Sequence, residues 1–513
     1  MSAISLTILG IVAFSLWIYF LWSRRRFYKI AWQLPGPPSL PLIGMGLNMM
    51  NPETLLPYLE KISEKYKTPF ISWMGINCVL YVNDPNTMEK VFNSPHCTNK
   101  GDFYRFMSSA IGDGLFTSSS PRWNKHRRLI NPAFSRQILD NFLPIFNTEA
   151  NVLLKKFGTE GQDGKVKLEI YEMLKKSVLE AACQTTMGKK MDFHNDGSAV
   201  IFESYNILTE VCARRMLSPW LYPDILYQYS SLYLKQKKVV NVLFGFIENL
   251  LSDLMTTQDK SADEPANTDN NDNDIFVKRK QKEIFIEQMR NNVNQGQFTW
   301  KDVRDEANVT IAATFETTST ALYIVCLCLA MHPESQEKLY AELVEIFPDN
   351  SDTNNIYHEV TSEHLQRMTY TETVINEAMR LFAPVPVVIR RAMADFELPN
   401  GVVIPKGTQI VMDIFNMQRN KDIWGSEAHS YRPDLHFGPD AQLKSHPFAF
   451  VPFTKGVRMC IGYRYALMLM KVVLAKIFRN YRLQTDAKIK DINVKCTISL
   501  KLHKYPLCTA TKR

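Results

Sequence analysis

The sequence predicts a mainly helical protein with small β-sheets, a single large body preceded by an N-terminal helix that crosses a membrane. Three observations predict it. An apolar, uncharged run opens the chain and positive charge follows it at once. Helical periodicity dominates the middle. Short strand-like segments bounded by proline and glycine occur near residue 70 and again after Leu381.

Taken in order, residues 4–22 are apolar and uncharged, close to the twenty or so residues that span a bilayer, and Arg24, Arg25, Arg26 and Lys29 come next. Positive charge on the C-terminal side keeps that side in the cytoplasm. A cleaved signal peptide would carry its charges before the apolar run and a small-residue site after it, which this segment does not. The four prolines of "LPGPPSLPLIG" (34–44) favour extended, semi-rigid backbone, so the expected organisation is an anchor (1–23), a basic and proline-rich linker (24–44) and one body (45–513).

Within the body, "FISWMGINCVLYVND" is rich in β-branched and aromatic residues and reads as a strand pair. The tract "SADEPANTDNNDND" (261–274) is too polar to fold by itself and reads as a surface loop between helices. "IAATFETTSTALYIVCLCLAM" (311–331) is long enough to span a membrane, but a central carboxylate costs about 2.5–3.5 kcal/mol there. A buried central helix fits better, started by "TWKD" with Thr299 as cap and Asp302 in the first turn. "ELPNGVVIPKGTQIVMD" predicts short strands, and "INVKCTISLKLH" a half-exposed one.

Composition narrows function. Sixty basic against 52 acidic residues give a net charge of +8 over 513 residues, with no basic stripe carrying interleaved aromatics, which argues against nucleic-acid binding. The mild excess suits an acidic protein partner. Nine cysteines at irregular spacing argue against a disulfide framework. Cys326 and Cys328, two apart in an apolar helix, do not share a face and read as core thiols.

One cysteine differs. In "FTKGVRMCIG", Cys460 stands between Gly456 and Gly462, beside Phe453 and Arg458, ahead of a long helical run. The nearby helix N-terminus and Arg458 both favour a thiolate. A covalent nucleophile would call for a histidine base, absent from any matching local signature, with spatial neighbours left open. Structural zinc would need three more ligands nearby. The remaining reading is an axial ligand to haem iron, with Gly462 admitting a flat macrocycle and Arg458 available to a propionate.

F-x-x-G-x-R-x-C-x-G resembles the cysteine loop of the cytochrome P450 superfamily. That resemblance covers essentially the whole chain and implies further sites. Glu377 and Arg380 in "NEAMR" are similar to the family's buried ion pair, whose usual arginine third member is replaced here by His436. Trp123 and Arg127 in "WNKHR" resemble a propionate-binding W-x-x-x-R, and Arg390 matches another such position. "ATFETT" resembles A-G-x-D/E-T-T, which implies Glu316 as acid and Thr317 as alcohol in proton delivery, with Thr314 in place of the glycine. Thr317 can bond back to the Ala313 carbonyl and loosen the helix ladder.

Segments such as "WNKHRRLINPAF" and "HPFAFVPFTKG" resemble the microsomal branch that contains fatty-acid ω-hydroxylases. In many of those a glutamate at the position of Ala313 esterifies the haem; alanine cannot, so non-covalent haem b is expected. The resemblance implies a haem-thiolate monooxygenase of the endoplasmic reticulum membrane, with its catalytic body on the cytosolic side. The same resemblance implies a lipophilic small molecule as substrate and electrons from NADPH-cytochrome P450 reductase, with cytochrome b5 and membrane lipid as further expected partners. Lys125, Arg128, Lys455 and Arg464 are candidates for the reductase surface. A haem-thiolate isomerase or dehydratase, or a haem-binding protein without turnover, stands as the alternative.

Overall fold

A computed structural model describes residues 3–40, 43–159, 165–194, 199–256, 284–348, 357–439, 441 and 446–513. The polar tract at 261–274 lies outside the described residues. The architecture is mainly helical with small sheets, as the sequence predicts.

The N-terminal helix Ala3–Ser23 presents apolar side chains around its circumference; Ile8, Phe14 and Trp22 are 57%, 65% and 59% exposed. It bends by 51° into the helix Arg25–Gln33. The stretch expected as a semi-rigid linker is partly helical and partly docked: Ile30 and Leu34 are buried, and the Ile71 amide donates to the Pro35 carbonyl at 2.8 Å.

The helix Trp300–Met331 runs through the body. By length and composition it also passes for a membrane span, yet 78% of its most apolar window is buried inside the protein. Its start is the expected reciprocal cap, with the Asp302 amide donating to Thr299 Oγ1 (3.2 Å) and the Thr299 amide to Asp302 Oδ2 (2.8 Å). Helices Ile170–Met187, Ser231–Thr256, Thr369–Leu381 and Tyr463–Asn480 pack around it. Their buried Leu, Ile, Val and Phe side chains form one continuous core.

The predicted strand pair is Phe70–Met74 with Asn77–Val82, antiparallel. It continues into a four-stranded sheet: Asn77–Val82 pairs in parallel with Gln409–Asp413, which pairs antiparallel with Val387–Arg391. Because strand side chains alternate, Arg390 is buried on one face of Val387–Arg391 while Arg391 is half-buried on the other. Near the C-terminus, Val494–Cys496 and Leu500–Leu502 form a hairpin. The second strand is buried throughout instead of half-exposed, Lys501 included.

Candidate functional site

A cavity opens between the central helix Trp300–Met331, the helix Arg122–Ile130, the strand Val387–Arg391 and the loop ahead of Tyr463–Asn480. It holds about 1390 Å³ not filled by atoms, part of it open to solvent. On the central helix Thr310, Ala313, Thr314, Thr317 and Ala321 line it, the i, i+3, i+4, i+7 spacing of one helical face. Thr317 Oγ1 donates to the Ala313 carbonyl at 2.8 Å, the back-bond expected from sequence.

All nine cysteines are free, and only Cys460 is exposed; its side chain faces the cavity. The loop that carries it is tied by short-range bonds. The Cys460 amide donates to the Phe453 carbonyl (3.0 Å) and the Met459 amide to Gly456 (3.0 Å). Gly456 has φ +72°, and a Cβ there would stand 2.3 Å from the Phe92 carbonyl oxygen, so glycine is required twice over. Gly462 differs: a Cβ would meet nothing closer than Phe134 at 3.9 Å, so the protein itself leaves that space open. Phe453 lines the cavity and faces Tyr463, ring centroids 6.3 Å apart.

The surrounding protein atoms push the Cys460 thiol up, while a hydrogen bond from the Gly462 amide and the charges of Arg127 and Lys100 pull it down. This corrects one expectation. Arg458 does not turn toward the sulfur; it donates to the carbonyls of Thr98 (2.9 Å) and Ser118 (3.1 Å) and stacks 3.8 Å over Trp123. Deprotonation there calls for a bound cation as well as neighbouring arginines.

Lys100, Arg127, Arg390 and Arg458 all line the cavity, and among the described residues none of them has a carboxylate within ion-pair distance. Burial, and then mutual repulsion, lowers the Arg458 pKa to about 9 and holds Lys100 well below the usual lysine range. Arg458 Nη2 is buried with no partner. Four crowded cations, one of them with an unused donor, require an anion. One exposed thiol, open space at Gly462 and an uncompensated cationic rim fit a flat macrocycle carrying two carboxylates. The sequence singled out Arg127, Arg390 and Arg458. It missed Lys100, which has no motif around it and reaches the site by bridging to Arg390 across the sheet edge.

Behind the loop lies the pair expected from "NEAMR". Arg380 donates from Nε and Nη2 to Glu377 (2.8 and 2.9 Å) and to the carbonyls of Gln418 (2.8 Å), Ala428 (2.7 Å) and Ser430 (3.0 Å), so all five of its N–H groups are used. His436 Nδ1 lies 2.9 Å from Glu377 Oε1; since a carboxylate only accepts, Nδ1 carries the proton. Burial would raise the Glu377 pKa, but hydrogen bonds from Arg380 and His436 outweigh it and lower it. Gln418, which the sequence did not flag, carries this network onward by accepting from the Val451 amide (3.0 Å) just ahead of the cysteine loop.

Glu316, expected as the acid partner of Thr317, lies beside the cavity. Its carboxylate does not line the cavity; it accepts from Ser499 Oγ (2.8 Å) and pairs with Lys501 Nζ (3.0 Å). The structure therefore brings Trp123, Arg127, Ala313, Thr317, Arg390, Phe453, Arg458, Cys460 and Gly462 to one cavity, sets Glu377, Arg380 and His436 behind it, and leaves Glu316 to one side.

Comparison with known proteins agrees with this geometry. The sequence profile of the family described as Cytochrome P450 matches residues 34–509. The chain is 62% identical to the probable cytochrome P450 313b1 of Drosophila melanogaster, over 97% of each chain. It is 37% identical to the probable cytochrome P450 313a4 of the same organism, over 98% of each. It is 30% identical to cytochrome P450 4c21 of Blattella germanica, over 95% of each. With a cavity of this chemistry and matches of this extent, the chain belongs to the cytochrome P450 family and is a monooxygenase whose haem b is bound non-covalently through a cysteine thiolate.

Proposed function

We propose that the chain inserts one oxygen atom of O2 into a lipophilic substrate, a fatty acid, hormone-like lipid or xenobiotic. Its electrons come from NADPH-cytochrome P450 reductase, with cytochrome b5 as an accessory donor. The observation that carries this reading is the single exposed cysteine sharing a cation-rimmed cavity with the Thr310-to-Ala321 face of the central helix. Cys460 would hold the iron, Arg127, Arg390, Arg458 and Lys100 would neutralise the propionates, and Trp123, Phe453 and Gly462 would border the macrocycle. Once bound, the haem supplies the redox chemistry that activates dioxygen.

The chain's own residues orient and protonate. Thr317, with its hydroxyl at the cavity wall, hands on protons, and Glu316 replenishes them from the side away from the cavity. Lipophilic specificity is supported by a second, adjoining pocket of about 990 Å³ of empty volume whose walls include Met45, Leu55, Phe103, Met107 and Met216. Phe116 and Val385 are common to both. The exposed helix Ala3–Ser23 anchors the body at the endoplasmic reticulum, cytosolic side, so residues 1–23, 24–44 and 45–513 serve as anchor, linker and catalytic domain. Lys125, Arg128 and Arg464 are exposed and Lys455 half-buried, a basic surface for an acidic reductase.

The test is reductase-dependent oxygen consumption with formation of an oxygenated product, slowed as salt screens the docking surface. Thr317→Ala is expected to keep NADPH oxidation while product per NADPH falls several-fold; unchanged coupling would remove Thr317 from proton delivery. Product without reductant would instead mark an isomerase or dehydratase, and neither product nor consumption a haem carrier.

A further inference from the structure

The Glu316–Lys501 pair sits where three elements meet. Glu316 belongs to the central helix, and Ser499 and Lys501 to the C-terminal hairpin. The Lys501 ammonium also donates to Asn206 Oδ1 (2.9 Å) and Thr209 Oγ1 (2.8 Å) of the helix Ala199–Leu217. All three of its protons are thereby used. Lys501 is the one cation paired with Glu316 among the described residues. Three phenols also feel the carboxylate, Tyr171 and Tyr205 buried and Tyr505 half-buried, and desolvation above all pushes their pKa values up.

The same hairpin and helix wall the adjoining apolar pocket. Cys496, Thr497 and Ile498 line it from the hairpin, and Ala213, Met216 and Leu217 from the helix, a few residues from the partners of Lys501. A molecule that fills this pocket presses on both elements that hold the ammonium. Lysine is well suited to a contact of this kind, because it is a point charge on a flexible stem and can leave its acceptors one at a time, where an arginine fork would not.

We propose that Lys501 is a latch: its ion pair holds Glu316 away from the Thr317 side of the central helix until occupation of the apolar pocket shifts the hairpin and the helix Ala199–Leu217, so that proton delivery waits for substrate. The latch rests on the reading of Glu316 as the proton source given above. It makes Lys501 a positioning residue, acting only through Glu316.

The test uses full-length holoprotein with an NADPH flavoprotein reductase and no added substrate. The unaltered protein should oxidise NADPH slowly. Lys501→Met should raise that rate several-fold, Lys501→Arg should return it toward the original, and the rise should vanish in the Glu316→Gln, Lys501→Met double variant, because the lysine acts through that carboxylate. Asn206→Ala, which loosens the ammonium while leaving Glu316 paired, should move the rate the same way by less. Thermal midpoints give a readout independent of turnover: Lys501→Met should lower the midpoint by stranding a buried carboxylate, and the double variant should recover part of the loss. A normal rate in Lys501→Met, or a rise that persists with Glu316→Gln, overturns the latch alone. Absence of any reductase-dependent oxidation in the unaltered protein and in Lys501→Met alike overturns the functional reading and the latch with it.

Discussion

Two buried ion pairs, Glu377 with Arg380 and Glu316 with Lys501, use the same charges in opposite ways. The first joins residues three apart on one helix, both fully buried, and every guanidinium N–H has an acceptor. The second joins segments that are distant in sequence, and its lysine is shared with two side chains of one further helix. A planar fork locked into carbonyls is a fixed frame, and it is coupled through Gln418 to the cysteine loop. A point charge held by movable side chains is a contact that can open. The difference separates the part of the molecule that must not move from the part that must.

The largest effect should come from breaking the fixed pair. Arg380→Ala leaves Glu377 buried and uncompensated, at a cost of about 3–5 kcal/mol, which is a large share of the stability of a typical domain. Loss of recoverable haem-loaded protein and a collapsed thermal midpoint are the expected readouts. Arg380→Lys should not rescue it, since an ammonium cannot reach all five acceptors. A near-native midpoint for that variant would mean that the fork is unnecessary and that the contrast with Lys501 is empty.

A third buried carboxyl sharpens the comparison. Asp413 is bonded by Tyr81 and Asn416 and, among the described residues, is paired with no cation; burial raises its pKa to about 6, whereas Glu377 at similar burial is lowered. The folded pKa exceeds the unfolded one, so its stabilising contribution is present in full below about pH 4 and is lost as pH rises through about 6. At neutral pH that loss approaches about 3 kcal/mol. Asp413→Asn should therefore raise the thermal midpoint at pH 7 relative to the unaltered protein, with the gap closing toward pH 4. A gap that does not change with pH would show that ionisation of Asp413 is not what separates it from Glu377.

These contrasts also mark what the sequence could show. The capping box at Thr299, the strand pair before Asn83, the back-bond of Thr317 and the turn at Gly456 were all legible because their partners lie within a few residues. The ion pair of Glu377 with Arg380 was legible because one helical turn contains it. The pairing of Glu316 was not: Ser499 lies 183 positions away, and Lys501 occurs in an alternating run that reads as a half-exposed strand. Lys100 and Gln418 were missed for the same reason, since the sheet edge and a carbonyl network bring them in. Arg458 was recognised, but its expected help to the Cys460 thiolate was not borne out, because sequence proximity says nothing about the carbonyls of Thr98 and Ser118 that its guanidinium binds.

The central claim is that Cys460 is the thiolate that holds the haem iron. The carbon monoxide difference spectrum of the reduced holoprotein, recorded beside that of Cys460→His, tests it most directly. Ligation by Cys460 predicts the red-shifted band of a thiolate-ligated carbonyl complex in the unaltered protein and its replacement by a band at shorter wavelength in the variant. The red-shifted band surviving in Cys460→His, or never appearing in the unaltered holoprotein, would contradict it.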